Sequence, residues 1–485
     1  MRRPNILVIT TDQQRWDALG ANGNPDIRTP NLDRLAREGA NFTHCFVQNQ
    51  LCMPSRASFW TGQYPSTLGL TAMGIPVPED AVTLPRMLRN LGYHCANIGK
   101  LHFLPHANRD HRMLHPDYGF DHLEVAEEPG PYEDAYRAWV ARKRPDQLDK
   151  ISAGLPPNAA VWYRTMGIQD RVVHPLPEQE RPPGHTVTEG ATRFAFSGGI
   201  PFLGDDDVSF SAFVAEQTVA YLESRPKGQP FLCVAGFYSP HAPWIVPKRF
   251  LDAYDPETLS LPGFPPEVDR RRPAGAEDLF SDPQLRRARH GYYAAVTEVD
   301  HHVGLLLDRL EALGLADDTI VVFTSDHGEW LGEHLLFGKS YPAHDCISRV
   351  PLIVRMPGGA TGVSHDGIVE AIDVLPTLLD AAAIQQPPHL QGRSFFPLLD
   401  RRPGYEPRPS ALTEFTGWRL LRTPEFRYIA HGDGRDFLFD LRAPWGEYRD
   451  VARNVRYRDA LARMQHALIQ RLIQADMPRT RTWTY

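Results

Sequence analysis

Apolar residues gather in short, nearly unbroken runs along the chain: "NILVIT" (5–10), "HCANIG" (94–99), "FLCVAGF" (231–237), "TIVVFTS" (319–325) and "PLIVRM" (351–356). Continuous rather than alternating runs of this length predict strands covered on both faces. Between them the apolar positions recur at helical spacing, as in "TPNLDRLAREG" (29–39), "SFSAFVAEQTVAYLES" (209–224) and "YYAAVTEVDHHVGLLLDRLEALG" (292–314). The first of these has Thr29 at the N-cap and Pro30 at the first helical position. Strands alternating with helices predict an α/β fold with a large, mostly parallel central sheet flanked by helices.

After about residue 400 the texture changes. "SALTEFTGWRLLRTPEFRYIAH" and "DFLFDL" read as short antiparallel strands, followed by the helix "YRDALARMQHALIQRLIQA". The expected division is a large α/β domain over 1–400 and a smaller C-terminal α+β domain over 401–485, ending in the polar-aromatic tail "RTRTWTY". The stretch 103–200 is irregular and rich in Pro, Gly and charge, long for a connection and so a place for function or loose order.

Composition narrows the partners. Lys+Arg number 52 against 59 Asp+Glu, a net charge of −7, which leaves no global basic field for nucleic acid. No apolar run reaches the about 20 residues of a membrane span, and the opening "MRRPNILVITTD" has too short an apolar stretch for a signal peptide. The expectation is a cytoplasmic protein. The five cysteines, Cys45, Cys52, Cys95, Cys233 and Cys346, form no disulfide pattern. Cys95 and Cys233 sit inside strand-like runs and read as core; Cys52 does not.

The residues just past the strands change the picture most. Asp12 follows the first, Gly99, Lys100 and His102 the second, His241 in "YSPHAP" the third, and Asp326 and His327 in "DHGE" the fourth. In open parallel sheets ligands bind beyond the carboxyl ends of the strands, so these groups are expected at one edge. In "LCMPSRASFWTGQYP" (51–65), Pro54 and the run after it put Cys52 at a helix N-terminus, where backbone N–H groups favour an anion and lower a thiol's pKa, with Arg56 one turn on. Cys52 and Arg56 read as nucleophile and anion clamp; the three-residue spacing with a proline fits a thiolate phosphatase loop poorly. Asp12, Asp326 and His327, with the Gln13 amide, make a set for a divalent ion such as Ca²⁺, Mg²⁺ or Mn²⁺. Lys100, His102, His241 and Lys339 add cations and proton donors. "GDDDVSF" (204–210) has the look of a metal site but reads as acids at a helix start. His301 and His302 lie mid-helix as core or surface residues, while His334 and His344 stay open.

The Cys-x-Pro-Ser-Arg stretch and the "TGQYP" after it resemble the signature of type I sulfatases of the alkaline phosphatase superfamily. The resemblance extends to "RPNILVITTDQQRWDALG", "GYHCANIGKLHF", "SPHAP", "TIVVFTSDHGEWLGEHLLFGKS" and "RVPLIVRMPGG", covering most of 4–400, and to "FDLRAPWGEYRDVA" further on. It implies an alkaline phosphatase-like fold and hydrolysis of a small-molecule sulfate ester. It implies that Cys52 is oxidised to formylglycine by a formylglycine-generating enzyme, and that one hydroxyl of the hydrated aldehyde attacks sulfur while the other helps to eject sulfate. Carried over, Asp12, Gln13, Asp326, His327 and modified Cys52 would hold one metal ion, Arg56 and His102 the diol, Lys100 and Lys339 the sulfate oxygens, and His241 would donate to the leaving oxygen.

Two pairs depart from the commonest family pattern. Asp12-Gln13 and Asp326-His327 are similar to choline-sulfatase-like enzymes and phosphonate monoester hydrolases, which makes Mn²⁺ a contender beside Ca²⁺. Phosphonate hydrolases usually lack the Lys-x-His pair present as Lys100 and His102, so the resemblance tilts towards sulfate esters, with phosphonate monoester or phosphodiester hydrolysis as the alternative and promiscuity between them. A catalytically dead binding protein would have lost Cys52, Arg56 or a metal acid, and none is missing. A homo-oligomer is compatible with this reading.

Overall fold

The strand Asn5–Thr11 lies inside the main sheet of the computed structural model, every one of its residues buried. Residues 3–105, 111–151, 198–272, 275, 278–339 and 343–478 are described; the 479–485 tail, with 106–110 and 152–197 of the irregular stretch, lies outside them. Among the described residues eight strands form the sheet, in the order Val363–His365, Ala40–Phe42, Leu352–Arg355, Thr319–Ser325, Asn5–Thr11, Phe231–Gly236, His94–Gly99 and His122–Val125. All run in one direction except Leu352–Arg355, which is antiparallel to both neighbours.

The pleat of Asn5–Thr11 sorts its side chains between two cores. Ile6 and Val8 face one layer with Trp60 and Leu375, and Leu7 and Ile9 face another with Phe213, Val299 and Leu307. Helices thus cover both faces, as the unbroken apolar runs predict. The long helix is Asp282–Ala312, ten residues longer at its start than the apolar period shows. Its first turns, "DPQLRRARHG", are charged, and Gly291 within them lets the helix approach another backbone: a Cβ there would come within 2.5 Å of the Gly199 nitrogen. Helix Pro30–Glu38 is capped by a neighbour rather than by Thr29, whose side chain makes no cap bond. Asp300 of the long helix accepts from the Asn31 and Leu32 N–H groups at 3.1 and 2.7 Å.

The described part of 103–200 is less irregular than its composition implies, holding the strand His122–Val125 and the helix Ala135–Lys143. The acids of "GDDDVSF" behave as surface charges: Asp205 and Asp207 pair with Arg144, and Asp206 with Arg249. Among the described residues no helix is long and apolar enough to cross a membrane.

A separate antiparallel sheet, Ala411–Phe415, Trp418–Arg422, Phe426–His431 and Asp436–Asp440, follows the large unit. Helix Arg458–Ala475 covers one face through Met464 and Leu468 against Leu421, Tyr428 and Leu438. The other face lays Leu420, Ile429 and Phe439 on Trp330 and Ile347 of the large unit. A buried polar clamp joins the two parts: Arg471 donates to Glu370 at 2.8 Å and to the Tyr64 hydroxyl at 2.5 Å, and Tyr64 donates to Glu370.

Removing one partner of a buried ion pair leaves the other charge short of compensation. Arg471→Ala leaves Glu370 with Arg408, 3.4 Å away, and is expected to destabilise the protein by about 3 kcal/mol. Urea unfolding followed by tryptophan fluorescence checks this; an unmoved midpoint would mean that the clamp does not hold the two parts together.

Candidate active site and metal centre

Strand register brings the chemistry to one line. Thr11 pairs with Ser325, Thr10 with Gly236, and Gly99 with Gly236, so the residues that follow, Asp12, Asp326 and Lys100, leave the sheet side by side. Gly99 has φ of 87°, and a Cβ on it would lie 2.2 Å from the Gly236 carbonyl oxygen, so only glycine lets the chain turn into Lys100 there.

Helix Cys52–Thr61 supplies the rest, and all ten of its residues are buried. A helix enclosed on every side can carry polar groups only if they find partners. Ser55 donates to the Asp326 carbonyl at 2.6 Å, and Arg56 Nε to the Asp326 carboxylate at 2.8 Å. Arg56 also lies 3.5 Å from Asp12 Oδ2, which Lys100 Nζ approaches to 2.8 Å. Cys52 Sγ sits at the helix start, 2.6 Å from Lys339 Nζ, 3.2 Å from His327 Nε2 and 3.6 Å from Asp12 Oδ1. Lys339 is 3.2 Å from His241 Nε2, and the His241 Nδ1 is 2.6 Å from the Ala242 carbonyl.

Burial and charge set the protonation states. Burial alone would raise the Asp12 carboxyl, but Lys100, with Lys339 and Arg56, holds it well below the usual range. Burial pulls Lys100 down and Asp12 more than reverses it; for Lys339, Cys52 and Asp12 do the same. Burial, then Lys339, holds His241 well below its ordinary value, and burial brings His327 to about 4. The unmodified Cys52 thiol is pushed up to about 12 by burial and then by Asp12. The helix N-terminus therefore does not make it a thiolate: desolvation and a carboxylate outweigh the helix end, and an ordinary thiolate nucleophile is not what this site holds ready.

The same residues fit a divalent cation. Ligand atoms of Asp12, Cys52, Asp326 and His327 all lie within 4.8 Å of one another. The His327 Nδ1 is 2.9 Å from the Gly328 carbonyl and so carries the proton, which leaves the Nε2 lone pair towards Asp12 and Asp326 at 3.6 and 3.7 Å. Gln13 gives its amide nitrogen to Glu329, while its Oε1 is buried with no hydrogen-bond partner. Two carboxylates and an imidazole, with an orphaned amide oxygen on the residue that follows Asp12, are a donor set for a hard to intermediate ion.

The sulfatase family model matches residues 4–384, and a second, described as N-sulphoglucosamine sulphohydrolase, C-terminal, matches 332–474. The chain belongs to the sulfatase family. Among relatives, an arylsulfatase of Clostridium perfringens is 28% identical over 498 residues, covering 97% of this chain and 94% of that protein. A choline-sulfatase of Rhizobium meliloti is 29% identical over 488 residues, covering 94% and 83%. The solved phosphonate monoester hydrolase of Agrobacterium radiobacter shares the fold with a TM-score of 0.77 and 24% identity, over 98% of this chain and 96% of that one.

In this sulfatase eight of the residues named from the sequence, Asp12, Cys52, Arg56, Lys100, His241, Asp326, His327 and Lys339, are linked by the contacts above. Gln13 joins them through its backbone N–H, 3.1 Å from Asp326 Oδ1. His102 is buried two residues past Lys100 with φ of 56°, its backbone N–H held by Glu127 at 3.0 Å. Sequence reasoning missed Glu127, Tyr238 and Glu329. Glu127 follows the strand His122–Val125, whose half-buried "HLEV" lacks an apolar run. Tyr238 donates to the Ala242 carbonyl at 2.8 Å, and its ring lies 4.9 Å from Lys100 Nζ. Glu329 stood in plain view in "DHGE", without a signal separating it from a helix acid.

His334 and His344 come together with Glu447. Arg427 donates to His344 Nδ1 and to Glu447 Oε1, both at 2.9 Å, and His334 stacks on Tyr448. A guanidinium already supplies the positive charge there, and the cluster joins the large unit to the C-terminal sheet. His302 is buried and His301 half-buried on the long helix, as the sequence indicates.

An imidazolium cannot ligate, so an ion held through His327 would bind more weakly once that ring gains its proton. With that step near pH 4, Mn²⁺ affinity is expected to be nearly the same at pH 5 and pH 7. An imidazole titrating at its ordinary value would lose about 25-fold between them. Metal titrations at the two pH values distinguish these outcomes.

Proposed function

We propose that the protein hydrolyses sulfate monoesters with Cys52 in its formylglycine form and one divalent ion held by Asp12, Gln13, Asp326, His327 and residue 52. The observation that carries this reading is the convergence of three cations on Cys52: Lys339 in contact with Sγ, and Arg56 and Lys100 on the carboxylate of Asp12 beside it. Such a cradle binds a tetrahedral anion and matches charge that develops on its oxygens.

The ion supplies Lewis-acid polarisation and favours the ionised form of the nucleophile. The hydrated aldehyde supplies the attacking hydroxyl, which a thiol cannot. Arg56, anchored to Asp326, faces the hydroxyls with His102; Lys100 and Lys339 take sulfate oxygens. The proton for the leaving oxygen is carried by the Lys339–His241 pair. In the resting site His241 is neutral, with Nδ1 held by the Ala242 carbonyl and Nε2 turned to Lys339. An imidazole and an amide among the donors favour Mn²⁺ over Ca²⁺. Five buried free cysteines fit a reducing, cytoplasmic compartment, where a formylglycine-generating enzyme would be the maturation partner. The domain division is placed near residue 400, and a homo-oligomer is compatible with it.

A phosphonate monoester carries the same single charge as a sulfate monoester, so charge alone does not choose between them. The second substituent on phosphorus needs room, and Lys100 is buried between Asp12 and the Tyr238 ring. Matched aryl esters are expected to show kcat/KM higher for sulfate by roughly 10-fold or more, about 1.4 kcal/mol of differential transition-state binding. A preference for the phosphonate would replace this reading with a phosphonate or diester hydrolase.

A further inference from the structure

Gln13 is an unusual metal ligand in one respect: its amide has two chemically different ends, and only the oxygen can bind a cation. Free rotation about the last bond would present nitrogen half of the time. In this protein the choice is made by a neighbour. Glu329 is fully buried, and one of its oxygens accepts the Gln13 Nε2 donor. The other accepts the backbone N–H of Leu331 at 3.1 Å and that of Gly338, the residue before Lys339. Burial raises the Glu329 carboxyl, but the N–H groups of Leu331, Gln13 and Gly338 that point at its two oxygens favour the ionised form, which can only accept, so Gln13 turns its NH₂ towards it. Its Oε1 is the atom left buried without a partner.

We infer that Glu329 is a positioning residue that locks the Gln13 amide with its oxygen towards the metal site, and that through Gly338 it fixes the loop carrying Lys339. This rests on the metal reading proposed above and extends it. Gln13 holds φ of 71°, in the left-handed region, and its backbone N–H is spent on Asp326. The backbone is thus fixed from one side and the side chain from the other. The pair also explains a neutral amide at this position: the carboxylate of Glu329 lies one hydrogen bond behind it, where a second acid at 13 would meet it as a like charge.

Glu329→Gln changes one oxygen to nitrogen at constant shape. The remaining amide oxygen of residue 329 can still accept from Leu331 and Gly338, so its NH₂ faces residue 13. The Gln13 amide then turns over to offer its oxygen to that donor, and the metal loses a ligand. Exchanging the two groups, Gln13→Glu with Glu329→Gln, restores the arrangement: the NH₂ of residue 329 donates to one carboxylate oxygen at 13 and leaves the other for the ion. The net charge of the pair is unchanged from the native one.

The test is Mn²⁺ titration of the purified full chain without substrate, reading stoichiometry, Kd and the metal-induced rise in Tm. Glu329→Gln is expected to weaken Mn²⁺ binding about 10-fold or more, and the exchanged pair to return Kd to within about 3-fold of the native value. Native affinity in Glu329→Gln, or an exchanged pair no better than the single variant, overturns the inference. Should the single variant fail to fold while the exchanged pair folds and binds, the coupling is supported by that rescue. A holoprotein structure in which the ion does not touch Gln13 overturns it whatever the variants do. Native protein that takes up neither Mn²⁺ nor Ca²⁺ overturns the metal reading and this inference together, which separates the two failures.

Discussion

Two carboxylates withdrawn from water at the ends of adjacent strands are the constraint around which the molecule is arranged. Asp12 and Asp326 are both buried. Two like charges in such a place are costly unless cations stand close. Arg56 reaches both, Lys100 reaches Asp12, and the sheet register that aligns Thr11 with Ser325 makes the shared contact geometrically available. The enclosed helix Cys52–Thr61 is therefore more than packing: it delivers Arg56 between the acids and, one turn earlier, Cys52 above them.

That charge arrangement already contains a preference for anions. Arg56, Lys100 and Lys339 are three cations against Asp12 and Asp326, so these five groups together are positive by one before any metal is counted. A divalent ion raises the excess further, and a singly charged ester lowers it. Substrate and metal thus neutralise each other's cost, which is how a buried polar site can be both stable and receptive. The unmodified thiol fits this economy badly. With its pKa pushed up to about 12 it is a neutral atom where an oxygen donor is called for, whereas a diol at the same place offers one hydroxyl to the ion and another to the surrounding cations.

Sequence made legible what depends on period and position. Unbroken apolar runs locate the strands at 94–99 and 319–325 to the residue, and the rule of ligand binding at strand ends gathers Asp12, Lys100, His241 and Asp326 from the sequence alone. Direction was less legible. Leu352–Arg355 carries the same apolar signal as its neighbours yet runs against them, because burial on both faces leaves no trace of polarity. The early turns of the long helix were hidden because "DPQLRRARHG" is mostly charged and buries only Leu285, Ala288 and Gly291 of its apolar positions, too few to show a period. The true cap of helix Pro30–Glu38 was hidden because it comes from Asp300, distant in the chain. Glu329 and Glu127 were invisible for a related reason: what marks them is the hydrogen bonds they accept, from Gln13, Leu331 and Gly338 and from His102, and such bonds leave no period in the sequence.

The account stands on what residue 52 is in the working protein. Mass spectrometry of the peptide containing it, on fractions separated by their turnover of an aryl sulfate, tests that most directly. Activity is expected to follow the fraction in which an aldehyde, or its hydrate, replaces the thiol, and a homogeneous thiol form is expected to be inactive. Full turnover from protein in which Cys52 is still a thiol would contradict it.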